Sequence, residues 1–212
     1  MNLFDDIKKE AQFFFLTARG SHDWEHTERV YNLCMHIGKK ENADLEILKL
    51  AAILHDIRRE YQDKSNGKIC HGEKGADLAR EILKKYNLDN EKIDKIVGCI
   101  ECHRFRGNKI PQSKEAKVLF DADKLDSIGA TGIGRAFLFA GEVGAKLHSK
   151  DVDIEKTEPY TKEDTAYREF MVKLRKVKDR MLTQEGKRIA EERHKFMVDF
   201  FNRLNDEIDG LK

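Results

Sequence analysis

The chain has 212 residues, of which 37% are charged and 40% hydrophobic, and its formal net charge is +1. This length is enough for one well-cored domain with a helical extension or a small second lobe. A near-neutral net charge excludes a global attraction to nucleic acid or to an acidic membrane, so any binding of phosphate must be local. No apolar run approaches the ~20 residues needed to cross a bilayer, and the first residues lack the basic region of a signal peptide. We therefore expect a cytoplasmic protein with no membrane partner.

Apolar residues recur at helical spacing along most of the chain, and no stretch alternates like a strand over more than a few residues. The only two prolines, Pro111 and Pro159, fall between these periodic segments. In chain order the pattern predicts helices over residues 3–19, 25–42, 44–58, 72–87, 90–105, 113–126, 128–148, 161–182 and 184–208. We therefore predict an all-α protein.

The last two predicted helices are joined by a short turn, and each carries an apolar stripe. The stripes comprise Phe170, Leu174, Val177 and Met181 on one helix, and Ile189, Phe196, Phe200 and Leu204 on the other. Such a pair predicts an antiparallel hairpin. We expect a helical core over residues 1–148 and a C-terminal hairpin over residues 149–212 that packs on it within one structural domain. A homodimer contact through the hairpin is the alternative.

Four cysteines do not suggest a disulfide framework in a chain of this size. Cys99 and Cys102 have the spacing of a zinc knuckle, but no second pair follows them. Both lie in a helical stretch, where Cys99 shares the apolar spacing of Ile96 and Ile100. We interpret these thiols as reduced, buried core residues.

Four ionisable side chains lie at the ends of apolar helical stripes and should therefore point inward: His26, His55, Asp56 and Asp123. For example, His26 shares a helix face with Val30, because residues four apart lie on the same side. Two carboxylates and two imidazoles are costly to bury unless they are paired or coordinate a metal. We therefore predict that the four converge on one divalent cation, which indicates a metalloenzyme.

A lone histidine, a His-Asp doublet and a distant aspartate in this order resemble the HD superfamily of metal-dependent phosphohydrolases. The flanking sequences match as well: HDWEH at residues 22–26, AAILHDI at residues 51–57 and DADKLD at residues 121–126. The resemblance is firm over about residues 20 to 145 and continues less sharply to the C-terminus. It implies an HD-domain helical bundle with the C-terminal helical hairpin attached, and a phosphohydrolase whose metal ligands are His26, His55, Asp56 and Asp123.

Two imidazoles and two carboxylates suit a divalent Mn, Fe, Co, Ni or Zn ion, or Mg if waters complete an octahedron. Four protein ligands on a six-coordinate ion leave room for water and a substrate oxygen. The implied reaction is attack of a metal-bound water on a nucleotide phosphate ester or anhydride, with Asp56 also orienting the water. A nucleotide phosphodiesterase and a non-catalytic nucleotide-binding regulatory protein remain as alternatives. A long nucleic acid is disfavoured as a substrate because no aromatic stacking series is present.

Two further histidines, His71 and His103, align with apolar residues at helical spacing. Both positions match places where some branches of the superfamily hold phosphate or a second metal, and a satisfied core histidine is the alternative at each. Glu60 is a candidate proton-transfer group near the doublet. However, branches that use such an acid carry it four positions after the doublet histidine, where this chain has Arg59.

A basic cluster near His103 could neutralise phosphate oxygens that the metal does not contact. It includes Arg104 and, across the expected cleft, Lys68. The alternative is a solvated charged loop. Asp126 lies three residues after Asp123 on the same side of a helix, where we expect it to support the site or to contact a ribose hydroxyl.

Overall fold

The computed structural model describes residues 2–16, 23–59, 71–104, 110–149 and 153–212, apart from the side chains of residues 71, 73 and 155. These ranges contain nine α-helices and no strand, which confirms the predicted all-α class. The helices are α1 (Leu3–Gln12), α2 (Trp24–Glu41), α3 (Leu45–Leu54), α4 (His71–Lys85), α5 (Asn90–Cys102), α6 (Lys114–Leu125), α7 (Gly129–Glu142), α8 (Ala166–Val172) and α9 (Gln184–Ile208).

Several helices begin where a side chain caps the first turn. The caps accept hydrogen bonds from backbone N–H groups that have no partner within the helix, which stabilises each N-terminus by about 1 kcal/mol. The capping residues are Asp23 for α2, Asp44 for α3, Asp89 for α5, Thr165 for α8 and Thr183 for α9.

The chain divides into two compact units, Met1–Asp123 and Lys124–Lys212. In the first unit, α2 packs against α3, α4 packs against α5, and α3 also contacts α5. Its core is aliphatic and includes the fully buried Leu48, Leu54, Ile93, Ile96 and Ile100. Within the described ranges, no helix has both the length and the apolar run that a bilayer crossing requires.

In the second unit, α9 packs against α7 and against a 3₁₀ helix over Leu174–Arg180. Its core is aromatic: Phe201 is 1% exposed and stacks on Phe170, with ring centroids 4.4 Å apart. The C-terminal helical segments lie where the hairpin is predicted, but the buried face of α9 differs from the predicted apolar stripe. Gly186, Ala190, Met197 and Phe201 are buried, whereas Phe196 of the predicted stripe is 53% exposed. The predicted division of the chain at residues 148 and 149 stays a prediction.

The helix predicted over residues 161–182 is instead broken into α8 and the 3₁₀ helix. Thr165 is extended and caps α8, so the helix cannot begin earlier. The preceding turn is held by the buried Arg168, which donates to Asp164 Oδ1 at 2.8 Å and to the Thr157 carbonyl at 2.9 Å. These polar contacts favour a turn over a continued helix, and apolar spacing does not report them.

Two further helices are shorter than their apolar spacing predicts. The helix expected over residues 128–148 ends at Glu142, because Gly144 adopts a φ of +69°. A glycine in this left-handed conformation commonly ends an α-helix. The described part of the helix expected over residues 3–19 becomes a 3₁₀ turn after Gln12.

Candidate metal centre

Helices α2, α3 and α6 bring together the four predicted ligands, which are called the quartet below: His26, His55, Asp56 and Asp123. His26 lies in the first turn of α2, where its backbone N–H donates to the cap Asp23 at 3.1 Å. His55 and Asp56 follow the last residue of α3, and Asp123 lies near the end of α6. The side chains of His26, His55 and Asp56 are 1%, 0% and 4% exposed, and that of Asp123 is 18% exposed. Solvent therefore reaches this group at Asp123.

The nitrogen and oxygen atoms of the quartet face one another at short range. His26 Nε2 lies 3.4 Å from His55 Nε2, 3.6 Å from Asp56 Oδ2 and 3.5 Å from Asp123 Oδ1. His55 Nε2 lies 3.8 Å from Asp56 Oδ1. Two donors that each sit roughly 2.1 Å from a common ion are separated by about 3.0–4.2 Å, depending on the angle between them. All four separations fall in this range, and one ligand atom from each of His26, His55 and Asp123 lies within 4.8 Å of the other two. Asp56 faces His26 and His55 with different carboxylate oxygens, so its role as the fourth ligand stays a prediction.

Hydrogen bonding at the far side of the His55 ring strengthens this fit. His55 Nδ1 lies 2.7 Å from the Ala52 carbonyl oxygen. A carbonyl oxygen only accepts, so Nδ1 carries the proton, and in the neutral ring Nε2 holds an electron pair. That electron pair faces His26 and the Asp56 carboxylate. Either a proton or a metal ion between this nitrogen and the carboxylate would remove their repulsion, and ligating histidines typically donate their other N–H in this way.

A third imidazole, that of His103, reaches the same group from the end of α5. It is 1% exposed, and its Nδ1 lies 2.5 Å from the Ile100 carbonyl oxygen. His103 Nε2 lies 3.5 Å from Asp56 Oδ1, and its ring centroid is 5.3 Å from that of His55. Asp56 is therefore shared: one carboxylate oxygen faces His26, and the other faces His55 and His103.

Two of the remaining predicted residues, Arg104 and Asp126, lie within the described part of the chain. Asp126 belongs to the second unit, where it is 1% exposed and accepts from Arg135 Nη1 at 2.9 Å. Arg104 follows His103 directly and is partly exposed. The residues whose side chains lie outside the described part of the chain are Glu60, Lys68 and His71. The role of each of these residues stays a prediction.

One structural residue lies in the C-terminal part of the family resemblance but is assigned no role by the sequence. Arg193 on α9 donates to the Leu125 carbonyl at 2.6 Å, and burial lowers the pKa of its guanidinium. Its aliphatic carbons lie against Gly129, whose φ is +76°. The signal was available, because Arg193 lies three residues after Ala190 and four before Met197, both buried. The sequence could not indicate that the Ala52 and Ile100 carbonyls hold the two histidine rings, because every residue has a backbone carbonyl.

Comparison with protein families agrees with this geometry. The HD-domain model matches residues 23–128, which contain His26, the His55-Asp56 doublet and Asp123. The chain belongs to the HD-domain family. This confirms the family resemblance that the ordered histidines and aspartates indicate.

Similar proteins extend over the whole chain. The uncharacterized protein YpgQ of Bacillus subtilis is 35% identical over 211 residues, which cover 98% of this chain and 94% of that protein. The crystal structure of YpgQ in complex with ADP matches with a TM-score of 0.74 and 32% identity, covering 99% of this chain and 100% of that one. The crystal structure of a predicted HD-superfamily hydrolase from an uncultured Thermotogales bacterium matches with a TM-score of 0.67 and 26% identity. The match covers 98% of this chain and 99% of that one.

Proposed function

We propose that this protein is a metal-dependent phosphohydrolase that acts on a nucleotide phosphate ester or anhydride. The observation that carries the proposal is the close approach of the buried His26 Nε2, His55 Nε2 and Asp56 carboxylate and of the partly exposed Asp123 carboxylate. These four groups would hold the divalent ion. When bound, such an ion supplies a Lewis acid for a phosphoryl oxygen and a lowered pKa for water.

Asp56 has a second task in this proposal. Its Oδ2 faces His26, while its Oδ1 faces His55 and His103. One oxygen can therefore serve as a ligand while the other accepts a proton from the attacking water. His103, fixed by the Ile100 carbonyl, lies close enough to Asp56 to orient this carboxylate or to contact the phosphate.

The nucleotide assignment rests on a relative and on charge. YpgQ, which matches this chain over its full length, forms a complex with ADP. In this chain, the residue after His103 is Arg104, and Lys68 is the second cation assigned to phosphate. A polyphosphate needs such groups, because one metal site cannot neutralise all of its oxygens.

The test is product analysis with Mn²⁺ on a nucleoside triphosphate, a nucleoside monophosphate and a cyclic dinucleotide. We expect phosphate or pyrophosphate release that EDTA abolishes. Asp56→Ala should reduce turnover by at least about a thousandfold, because both the ion and the proton acceptor depend on it. The matched control is His36→Ala, since His36 is an exposed histidine on the same helix as His26.

Metal content and thermal stability should be measured on the same samples. Wild-type protein that binds Mn²⁺ but turns over none of these compounds would contradict the proposal. An Asp56→Ala variant with unchanged rate would remove Asp56 from the site. Equal losses in the Asp56 and His36 variants would indicate misfolding rather than a lost catalytic group.

A further inference from the structure

A cleft in the second unit has no role in the proposed hydrolysis. It lies between the 3₁₀ helix Leu174–Arg180 and α9, and its volume is about 540 Å³. This volume falls within the range typical of small-molecule sites, roughly 300–1,000 Å³. None of the residues that line the cleft is among those proposed to hold the metal ion.

The floor of the cleft is aromatic and held in place by its neighbours. Tyr167, Phe170 and Phe201 form it, and Phe170 and Phe201 stack with their ring centroids 4.4 Å apart. His148 stacks on Tyr167 at 4.6 Å and contacts Asn205 Oδ1 through its Nε2 at 2.7 Å. This network fixes the side chains in advance, so a ligand would lose little affinity to their ordering.

One rim of the cleft is positively charged and only partly neutralised. Lys178 pairs with Glu191 at 3.0 Å and lies 3.8 Å from Asp179, the acidic residue that also lines the cleft. By contrast, Arg175 and Lys176 have no carboxylate within ion-pair distance in the part of the chain that the structure describes. Both side chains are exposed, and Arg175 Nη1 lies 3.7 Å from the sulfur of Met171. Two adjacent unpaired cations beside an apolar floor favour a ligand that carries both an anion and a ring.

The opposite wall contributes polar groups. It includes Asn202 and His194, both on α9. His194 Nδ1 is buried, and no residue of the described ranges is hydrogen-bonded to it. A buried atom cannot itself reach a ligand, whereas the exposed amide of Asn202 can exchange hydrogen bonds with one.

We propose that this cleft is a second ligand site that binds a phosphorylated nucleoside. The phosphates would contact Arg175 and Lys176, and the base would lie over the aromatic floor near Val198. Arginine and lysine are the usual phosphate ligands in proteins. A small molecule fits better than a protein partner, because twelve residues line the cleft whereas a stable interface uses roughly 20–30 residues a side.

The test localises ADP binding by hydrogen–deuterium exchange on the full chain in EDTA, with adenosine as the uncharged probe. ADP should slow exchange in residues 171–180 and 194–205. In the double variant Arg175→Ser/Lys176→Ser, the ADP concentration that gives half-maximal protection should rise at least about tenfold, because hydrogen bonds to charged groups are strong. The control is Lys146→Ser/Lys162→Ser, which removes the same charge from exposed positions of the same unit.

Three results would overturn the proposal. The first is no protection of these segments by ADP. The second is protection that the Arg175/Lys176 variant retains in full, and the third is equal protection by adenosine, which would exclude a phosphate contact. Because the readout is confined to these segments and needs no metal, it is independent of whether the protein hydrolyses nucleotides.

Discussion

Two glycines of α7 provide a direct test of the packing in the second unit. A Cβ at Gly132 would overlap the backbone carbonyl of Ser127 and would lie 3.2 Å from Met197 Cε. A Cβ at Gly134 would meet no atom within 4 Å. Alanine should therefore act in opposite directions at two positions separated by one residue of the same helix.

The magnitudes follow from two terms. Replacing glycine by alanine within a helix stabilises it by roughly 0.5–1 kcal/mol, and Gly134→Ala should gain this in full. Gly132→Ala gains the same helix stabilisation, but its Cβ must push the Ser127 backbone aside. Overpacking of this kind lowers the free energy of unfolding by about 1–3 kcal/mol. Because the helix term is common to both variants, the difference between them reports the overlap alone and should be about 1–3 kcal/mol.

Urea unfolding followed by circular dichroism at 222 nm measures this difference. We expect the midpoint to rise for Gly134→Ala and to fall for Gly132→Ala, with an unchanged slope. In a thermal scan, each kcal/mol should correspond to roughly 2–4 °C for a chain of this length. Equal stabilisation of both variants would refute the reasoning, because it would mean that the Ser127 carbonyl does not lie beside Gly132.

Three other predictions concern single side chains. Phe201→Ala should lower the free energy of unfolding by about 3–5 kcal/mol. Phe196→Ala on the same helix should change it by less than about 0.5 kcal/mol, because Phe196 is 53% exposed. Equal losses in urea melts would contradict this. Burial raises the pKa of the Cys99 thiol to about 12. A pulse of iodoacetamide at pH 8 should therefore leave Cys99 unlabelled until urea is added. Prompt labelling of Cys99 in the native protein would refute its burial. Hydrogen bonds from a lysine and a tyrosine hold the pKa of Glu10 below its usual 4.5, so Glu10→Gln should cost less than about 1 kcal/mol at pH 7. A lowered carboxyl pKa stabilises above the unfolded value and loses this effect as pH falls through the folded value. The stability gap between wild type and this variant should therefore narrow below pH 4.5, and a gap that widens in acid would be contrary evidence.

Helical periodicity was enough to predict most of the architecture. It located α2 to α6 to within a few residues, but it did not reveal that α1 ends at Gln12 or which face of α9 is buried. The same periodicity placed His26, His55, Asp56 and Asp123 at the inner ends of their helices, where the structure brings them together. This works because burial of unpaired charge is so costly that an inward-facing carboxylate or imidazole already implies a partner.

Tertiary structure decided what periodicity cannot encode. Apolar spacing does not show that His103 approaches Asp56, or that Arg168 holds the turn before α8. Nor does it show that Lys178 pairs with Glu191, thirteen residues further along the chain. The period of a helix specifies which side chains share a face, whereas their partners depend on which helices pack together. That choice is made by contacts between residues far apart in the chain, and it determines which polar groups meet.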